Sequence, residues 1–410
     1  MNKSIALYVH IPFCETKCPY CDFNTYSGIE SLMPQYINAL NQEIAKWADW
    51  LGSPKLSSVF WGGGTPSYLP TPDVKLLMRT INESFEIDPS IEQTVEANPG
   101  DCSRERLQTM RKSGFNRISI GVQSFNDNEL QLLGRRHSSQ QAIDAVKNAR
   151  EAGFDNISLD LMFGLPNQYF SSWAQSVETA IALDTEHISA YALTLEKGTP
   201  LENDVKIGKI PEPDADLAAE MYSSAQSLLA SNQMHQYEIS NWSKPNKESS
   251  HNLAYWKSNP YLGVGPGAHS YLYGTEETGE FGLRFANLNP PRTYIQRIQG
   301  WTIDNRVSYD SIRVAGAIDS CEKLDASTAM VETMMMGLRL NQGVSDIEFK
   351  ERFGISITSA FSDATSECLE LGLLQWNNTY LRLTEYGRIL GNEAFMRFVA
   401  ETPNVASTNI

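Results

Sequence analysis

The sequence has few cysteines, fewer basic than acidic residues and no long apolar run, and each shortage excludes a class of protein. Six cysteines among 410 residues are too few for a disulfide-stabilised scaffold. No segment approaches the ~20 consecutive apolar residues of a membrane-spanning helix. The first residues, Met1 to Ser4, lead directly into a strand-like run without the apolar stretch of a secretory leader. We therefore expect a soluble cytoplasmic protein.

The acidic charge balance excludes two kinds of partner. The chain carries 33 Lys and Arg against 49 Asp and Glu, a formal net charge of −16. Affinity for nucleic acid comes mostly from basic contacts to phosphates, and anionic membranes attract clusters of basic residues. We therefore expect no nucleic-acid partner and no peripheral attachment to an anionic membrane.

The region from residue 5 to about 200 alternates short β-branched runs with longer helical patterns. Between Leu32 and Leu51, for example, apolar residues recur at three- and four-residue steps, and Pro34 suits the first turn of a helix. Six such strand–helix units follow one another. This pattern predicts an α/β fold with a parallel sheet covered by helices.

The alternation weakens after residue 200 and divides the chain into three predicted parts. Residues 1–235 form the barrel, 236–303 form strands and loops beside it, and 304–400 form a separate C-terminal domain. In that last part, helices precede a hairpin centred on Asn377-Asn378, which is typical of an α+β winged-helix-like domain. The domain is also acidic, which favours packing or partner docking over DNA binding.

Three cysteines, Cys14, Cys18 and Cys21, lie on one short loop directly after the first predicted strand. Thiolates at this spacing can converge on one point, and they are the usual ligands of iron–sulfur clusters. Three ligands would leave one iron of a four-iron cluster open.

The spacing alone leaves other chemistries open for this loop. His10 or Asp22 could complete a zinc site. Cys18 and Cys21 could form a redox-active pair, since C-x-x-C is common in thiol–disulfide exchange. A disulfide with one spare thiol is a third alternative.

Two further regions carry chemistry-bearing residues. Glycines, Glu96, Gln123 and Asp160 fall where predicted strands end, and the carboxyl ends of parallel strands form the active-site face of a barrel. Later in the chain, histidines and aromatic residues cluster between His251 and His269 among many glycines. Such a cluster suits a flat macrocycle, but it equally suits a packed hairpin, and the residues alone favour packing.

The motifs of the N-terminal two-thirds occur in a characteristic order. They are Tyr8-x-His10-x-Pro12-Phe13-Cys14-x3-Cys18-x-Tyr20-Cys21, Gly62-Gly63-Gly64-Thr65-Pro66, Glu96-x-Asn98-Pro99, Gly121-Val122-Gln123-Ser124-Phe125, Leu133-Gly134-Arg135-Arg136-His137 and Asp160-Leu161-Met162-x-Gly164-Leu165-Pro166. Together they resemble the oxygen-independent coproporphyrinogen III oxidase family of the radical S-adenosylmethionine (SAM) superfamily. The resemblance implies a partial (β/α)6 TIM-like radical SAM barrel.

Within that family the chain resembles the HemW heme chaperone branch. Phe23 stands where the decarboxylating enzymes have an additional cysteine, and the chain reaches Cys14 without their N-terminal extension. His251-Asn252-x-x-Tyr255-Trp256 matches a motif of the chaperone branch. The resemblance implies transfer of heme to a respiratory apoprotein, without coproporphyrinogen oxidase activity. The alternative is anaerobic oxidative decarboxylation of coproporphyrinogen III.

The resemblance also implies ligands and roles for individual residues. Cys14, Cys18 and Cys21 would hold a [4Fe-4S] cluster. The residues implied for SAM are Tyr8, Gly63, Gly64, Thr65, Glu96, Gln123, Arg135 and Asp160. The heme candidates are His251 first, then His269 and His10, with Tyr255 and Trp256 beside them. A homodimer is compatible with the resemblance, which leaves open whether SAM is cleaved to a radical.

Overall fold

A computed structural model of the chain describes residues 4–275, 281–302 and 307–404. Residues 1–3 and the expected domain boundary between 303 and 304 lie outside these ranges. In the described part, twelve strands form one large sheet and three form a small one. None of the described helices combines the length and apolarity needed to cross a membrane.

The centre of the large sheet is parallel, as the alternation of strands and helices predicted. Its six strands are β1 (Ile5–Ile11), β2 (Leu56–Gly63), β3 (Glu92–Ala97), β4 (Arg117–Gln123), β5 (Ile157–Phe163) and β6 (His187–Ala192). They lie side by side in chain order, each paired in parallel with the next. Their burial on both faces explains the nearly continuous apolar runs.

Helices cover this part of the sheet. They are α1 (Met33–Trp50), α2 (Thr71–Ser84), α3 (Arg104–Lys112), α4 (Asp127–Leu132), α5 (Ser139–Glu151), α6 (Phe170–Ala182), α7 (Pro200–Lys206) and α8 (Ala215–Ser231). Helix α1 confirms the periodicity argument, since Tyr36, Leu40, Ile44 and Trp47 are all buried and a proline lies in its first turn. The carboxyl ends of β1 to β6 therefore meet at one face of the molecule.

Further strands extend the sheet at both sides without closing it. The elements are β7 (His235–Glu238), β8 (Asn241–Ser243), α9 (Ser250–Trp256), β9 (Tyr261–Val264), β10 (His269–Leu272), β11 (Leu283–Asn287), α10 (Pro291–Gln299), α11 (Tyr309–Arg313) and β12 (Ile318–Lys323). Strand β9 pairs in parallel with β1, and β8 pairs antiparallel with β6. In the described residues β12 and β7 are the two edges, so the barrel is partial, as predicted.

Strand β12 departs from the expected division of the chain. The expected boundaries put residues 318–323 in the C-terminal domain, but these residues pair with β11 in the large sheet. Only Ile318 of this edge strand is buried, so its sequence lacks the apolar alternation that signals a half-buried strand.

The C-terminal module after β12 has its own apolar core. Its elements are α12 (Ala326–Gly337), β13 (Val344–Ser345), α13 (Asp346–Phe353), α14 (Ile357–Ala360), α15 (Ser362–Glu370), β14 (Leu374–Asn377), β15 (Tyr380–Leu383), α16 (Glu385–Ile389) and α17 (Gly391–Ala400). Strands β14 and β15 form the predicted hairpin, and Asn378 in its turn has a positive φ of 53°. Helices against a three-stranded sheet agree with the winged-helix-like prediction.

A buried carboxylate joins β9 and β11 to the helical layer. Glu43 of α1 accepts hydrogen bonds from the backbone N–H of Gly265 at 2.7 Å, from Asn287 Nδ2 at 2.8 Å and from the Tyr294 hydroxyl at 2.5 Å. Burial raises the pKa of this carboxyl. Since every partner is a donor, Glu43 fixes the backbone that follows β9.

Replacing Glu43 by leucine is expected to destabilise the fold, because three buried donors lose their acceptor. Each unsatisfied donor costs about 1–3 kcal/mol. We expect a clear fall in the apparent Tm, measured by circular dichroism. The matched control is Gln42→Ala on the exposed face of the same helix, which should leave Tm within about one degree. Equal melting of the two variants would contradict a structural role for Glu43.

Candidate functional site

The three cysteines lie at the carboxyl end of β1, on a loop held by its neighbour β2. The backbone N–H of Gly64 donates to Ile11 O at 2.7 Å, and that of Thr65 donates to Phe13 O at 2.8 Å. Cys14, Cys18 and Cys21 are free thiols and are partly exposed. All three line one cavity of about 150 Å³.

Each thiol has a hydrogen-bonding group beside it. Thr65 Oγ1 donates to Cys14 Sγ at 3.4 Å, Arg135 Nη1 donates to Cys18 Sγ at 3.6 Å, and Thr25 Oγ1 lies 4.0 Å from Cys21 Sγ. Burial raises the pKa of the Cys14 and Cys21 thiols. A bound metal would offset that cost, because coordination deprotonates a thiol outright.

The placement of the donors bears on the zinc alternative. Among the described residues, no group of three or more His, Cys, Asp or Glu side chains is placed to hold one metal ion. Both ring nitrogens of His10, the suggested fourth ligand, are already within 3.0 Å of Tyr8 Oη and Asn24 O. With His10 engaged, zinc would need another fourth ligand, whereas a four-iron cluster with one open position needs only the three thiolates.

Gly63, the last residue of β2, and Gly64 lie too close to neighbouring residues to carry a side chain. Gly63 has φ +105°, and a Cβ there would lie 2.5 Å from His10 Cε1. A Cβ on Gly64 would lie 2.7 Å from Phe13 O. A side chain at Gly63 would therefore displace the His10 ring, and one at Gly64 would displace the start of the cysteine loop.

Two acidic side chains face the same cavity. Glu96 accepts a hydrogen bond from the backbone N–H of Gly63 at 3.2 Å. Burial, together with the charge of Asp160, raises the pKa of Glu96 to about 8. Asp160 accepts from Ser119 Oγ at 3.1 Å, and burial raises its pKa as well. Two carboxyls that are costly to ionise alone suit a ligand that brings positive charge.

Gln123 and Arg135 complete the cavity. Gln123 ends β4 after a register shift and has φ +70°, which is uncommon for a residue other than glycine. Arg135 Nη2 donates to Gly121 O at 2.6 Å, so its guanidinium joins the end of β4 to the cysteine loop. Every residue predicted for the cluster and SAM lines this cavity except Tyr8.

Tyr8 instead lines a second cavity of about 350 Å³ beside the first. The residues around it are Tyr8, His10, Phe23, Asn24, Gly63, Glu96, Tyr255, Tyr261, Gly267 and His269. The two cavities share Phe23, Gly63 and Glu96. They therefore form one continuous site with two compartments.

The histidine ranked first for heme lies behind this second cavity. His251 is buried, with Nδ1 2.9 Å from Ser58 Oγ and Nε2 2.9 Å from the Tyr255 hydroxyl. Burial, helped by the charge of Arg117, lowers its pKa to about 3. Tyr255, one helical turn later, is the residue of the motif that lines the cavity.

Trp256, the last residue of that motif, contacts the C-terminal module. The Arg339 guanidinium lies over its ring, 5.5 Å from the centroid. Helix α9 therefore presents Tyr255 to the cavity and Trp256 to the neighbouring module. The sequence motif does not distinguish these two directions.

Sequence reasoning missed Asn24 as a residue of the site, and it noted Tyr261 only as part of the aromatic cluster, not as a heme candidate. Asn24 Nδ2 donates to Pro266 O at 2.9 Å and so ties the cysteine loop to the glycine-rich segment after β9. Tyr261 packs edge-on against Tyr255, with ring centroids 4.6 Å apart. The run Gly263-x-Gly265-x-Gly267 was the available signal, since repeated glycines mark close backbone approaches.

Comparisons with known proteins agree with this geometry. Residues 8–180 match the radical SAM superfamily, and residues 324–390 match the HemN C-terminal domain. The heme chaperone HemW of Bacillus subtilis is 38% identical over 397 residues, covering 97% of this chain and 99% of that protein. The mouse mitochondrial radical S-adenosyl methionine domain-containing protein 1 is 35% identical over 387 residues, covering 93% and 84% of the two chains.

One solved structure shares the whole fold. Coproporphyrinogen III oxidase (HemN) from Escherichia coli, described as a radical SAM enzyme, superposes with a TM-score of 0.80. The match covers 96% of this chain and 90% of that one at 23% identity. This likeness shows a common architecture for the barrel and the C-terminal module.

Proposed function

The chain belongs to the HemW family of heme chaperones in the radical SAM superfamily, and from this premise we propose that it binds a [4Fe-4S] cluster, SAM and heme and delivers the heme to a recipient protein. The observation that carries the proposal is the first cavity, where three free thiols meet residues suited to SAM. The site thus combines donors for a cluster with donors and acceptors for its ligand.

Different residues of the first cavity would bind the cluster and SAM. Cys14, Cys18 and Cys21 would hold the cluster, which would supply iron for binding SAM. Glu96 accepts a hydrogen bond from the amino group, and Arg135 supplies positive charge for the carboxylate.

Other residues would bind the ribose of SAM or hold the loops around the cavity. Gln123 and Asp160 have the hydrogen-bonding groups to bind the ribose hydroxyls. Gly63, Gly64 and Thr65 keep the loop after β2 close to the cysteines. Tyr8, which lies in the second cavity, acts on the heme side of the site.

The proposal also covers the protein's partners and its cellular compartment. The recipient is a respiratory heme protein, and the protein acts in the cytoplasm, where a reducing environment keeps cluster cysteines as thiols. We also propose that the protein forms a homodimer. The three units of the chain are the barrel, the strands beside it and the C-terminal domain.

Anaerobic reconstitution tests the function. We expect the reconstituted protein to contain about four iron atoms per chain. We also expect it to transfer bound heme to a respiratory apoprotein, and the visible spectrum of the recipient measures this transfer. Incubation with coproporphyrinogen III, SAM and reductant should give no protoporphyrinogen. Formation of that product, or failure of the reconstituted chain to bind heme, would overturn the chaperone function. Heme-loaded albumin in place of the protein controls for passive release.

A further inference from the structure

The second cavity has the size and surface of a binding site for a flat aromatic ligand. Its volume of about 350 Å³ lies within the usual range of small-molecule sites. Tyr8, Tyr255, Tyr261 and Phe23 line it, and Phe23 exposes 64% of its surface. So large an exposed aromatic ring at the border of two cavities suits an apolar ligand that covers it.

The histidines of the chain differ in whether their rings are free. His10, His187 and His251 each have both ring nitrogens within 3.0 Å of a partner. The ring of His137 is buried, with Nε2 3.0 Å from Val122 O. His235 is exposed on the edge strand β7 and lines neither cavity.

His269 combines two properties that the other histidines lack. It is exposed and lines the second cavity from the first position of β10. Within the described part of the chain its ring forms no hydrogen bond, so both nitrogens are available.

We infer that the second cavity is the heme site and that His269 provides the axial ligand of the heme iron. The inference rests on the proposed function, because it assigns the place of the cargo. His251 is then a positioning residue that acts through Tyr255. Its Nε2 lies 2.9 Å from the Tyr255 hydroxyl, and this hydrogen bond fixes the tyrosine ring, which packs edge-on against Tyr261 on the cavity wall.

This arrangement places the heme next to SAM. Glu96, Gly63 and Phe23 belong to both cavities, so a ligand in one is separated from a ligand in the other by single side chains. The Asn24 side chain, which joins the cysteine loop to Pro266 and Asn289, connects the two walls. Occupation of the cluster site can therefore change the shape of the heme site.

A heme titration of the cluster-loaded protein tests the assignment. The variants are His269→Ala, His251→Ala and the control His235→Ala, and the readouts are the dissociation constant and the Soret and EPR spectra, recorded against heme-free protein. We expect His269→Ala to weaken binding at least roughly tenfold and to lose the imidazole-ligated spectrum, which free imidazole should restore. His235→Ala should match the wild type.

The positioning role predicts a different pattern for His251. His251→Ala should weaken heme binding but keep the wild-type spectrum, and His251→Gln, whose amide can still hydrogen-bond to Tyr255, should recover affinity. If His251→Ala loses the imidazole spectrum while His269→Ala keeps it, the inference is overturned.

Two controls separate this inference from the proposed function. Iron content and SAM binding of each variant report whether it folds and keeps the cluster. A wild-type protein that binds no heme would refute the chaperone function itself. If the wild type binds heme and His269→Ala has the same affinity and spectrum, only the assignment of His269 is refuted.

Discussion

Replacement of Cys18 by serine is expected to abolish cluster incorporation and to weaken SAM binding by at least roughly a hundredfold. A serine hydroxyl is a poor substitute for a thiolate as an iron ligand, and only two cysteine ligands would remain. Arg135, which donates to Cys18 Sγ at 3.6 Å, would also lose its sulfur acceptor. Iron and sulfide content, the EPR signal of the reduced protein and SAM binding by equilibrium dialysis measure the effect.

The matched control for this experiment is Cys321→Ser. Cys321 is another partly exposed free cysteine, but it lies on the edge strand β12 and lines neither cavity. Its replacement should leave iron content and SAM binding unchanged. Normal iron content in Cys18→Ser would contradict the cluster assignment. Loss of one zinc ion instead would revive the zinc alternative.

The sequence predicted the parallel sheet well because its signals are local. Buried parallel strands are short apolar runs, and α1 shows the three- and four-residue spacing of a buried helical face. Cysteines and strand-end polar residues converge on one cavity for a topological reason, since parallel strands end at the same face. These features follow from the chain alone.

Other features depend on contacts that sequence patterns do not encode. Residue type makes His251 a good candidate for heme, but its partners, Ser58 and Tyr255, come from β2 and from its own helix. Tyr8 belongs to the cysteine motif, yet it lines the second cavity together with His10, and the motif does not show this. Strand β12 carries no alternation, so only its pairing with β11 reveals it.

Replacement of Glu96 by glutamine is expected to lower the affinity for SAM by about 10- to 100-fold. A hydrogen bond between a carboxylate and a charged amino group contributes about 1.5–3 kcal/mol, and the amide cannot supply the charge. Isothermal titration calorimetry of the cluster-loaded protein measures the loss. The control is Glu186→Gln, since Glu186 precedes β6 at the opposite end of the barrel and pairs with Arg150 at 2.8 Å.

The pH dependence distinguishes a charge effect from a structural one. The pKa of Glu96 is about 8 without ligand, so the carboxyl is largely protonated below that pH, whereas a cationic group binds its carboxylate form. Wild-type affinity should therefore rise from pH 6 to 7.5, by at most about tenfold per unit. Glu96→Gln should show a flatter profile, and parallel profiles would exclude Glu96 as the partner of the amino group.

The raised pKa of Glu96 also predicts how the stability of the SAM-free protein depends on pH. This stability should fall as pH rises, whereas the affinity for SAM should increase. The pKa of Glu96 is higher in the folded chain, at about 8, than its ordinary value of 4.5, so the folded state retains a proton that the unfolded state releases. The stability that this proton provides is complete below pH 4.5 and is lost as pH rises to about 8. As pH rises from 4.5 to about 8, the Tm of the wild type should therefore fall relative to that of Glu96→Gln. Above pH 8 the difference should level off. Saturating SAM should reduce this fall, because its positive charge stabilises the carboxylate that the empty site disfavours.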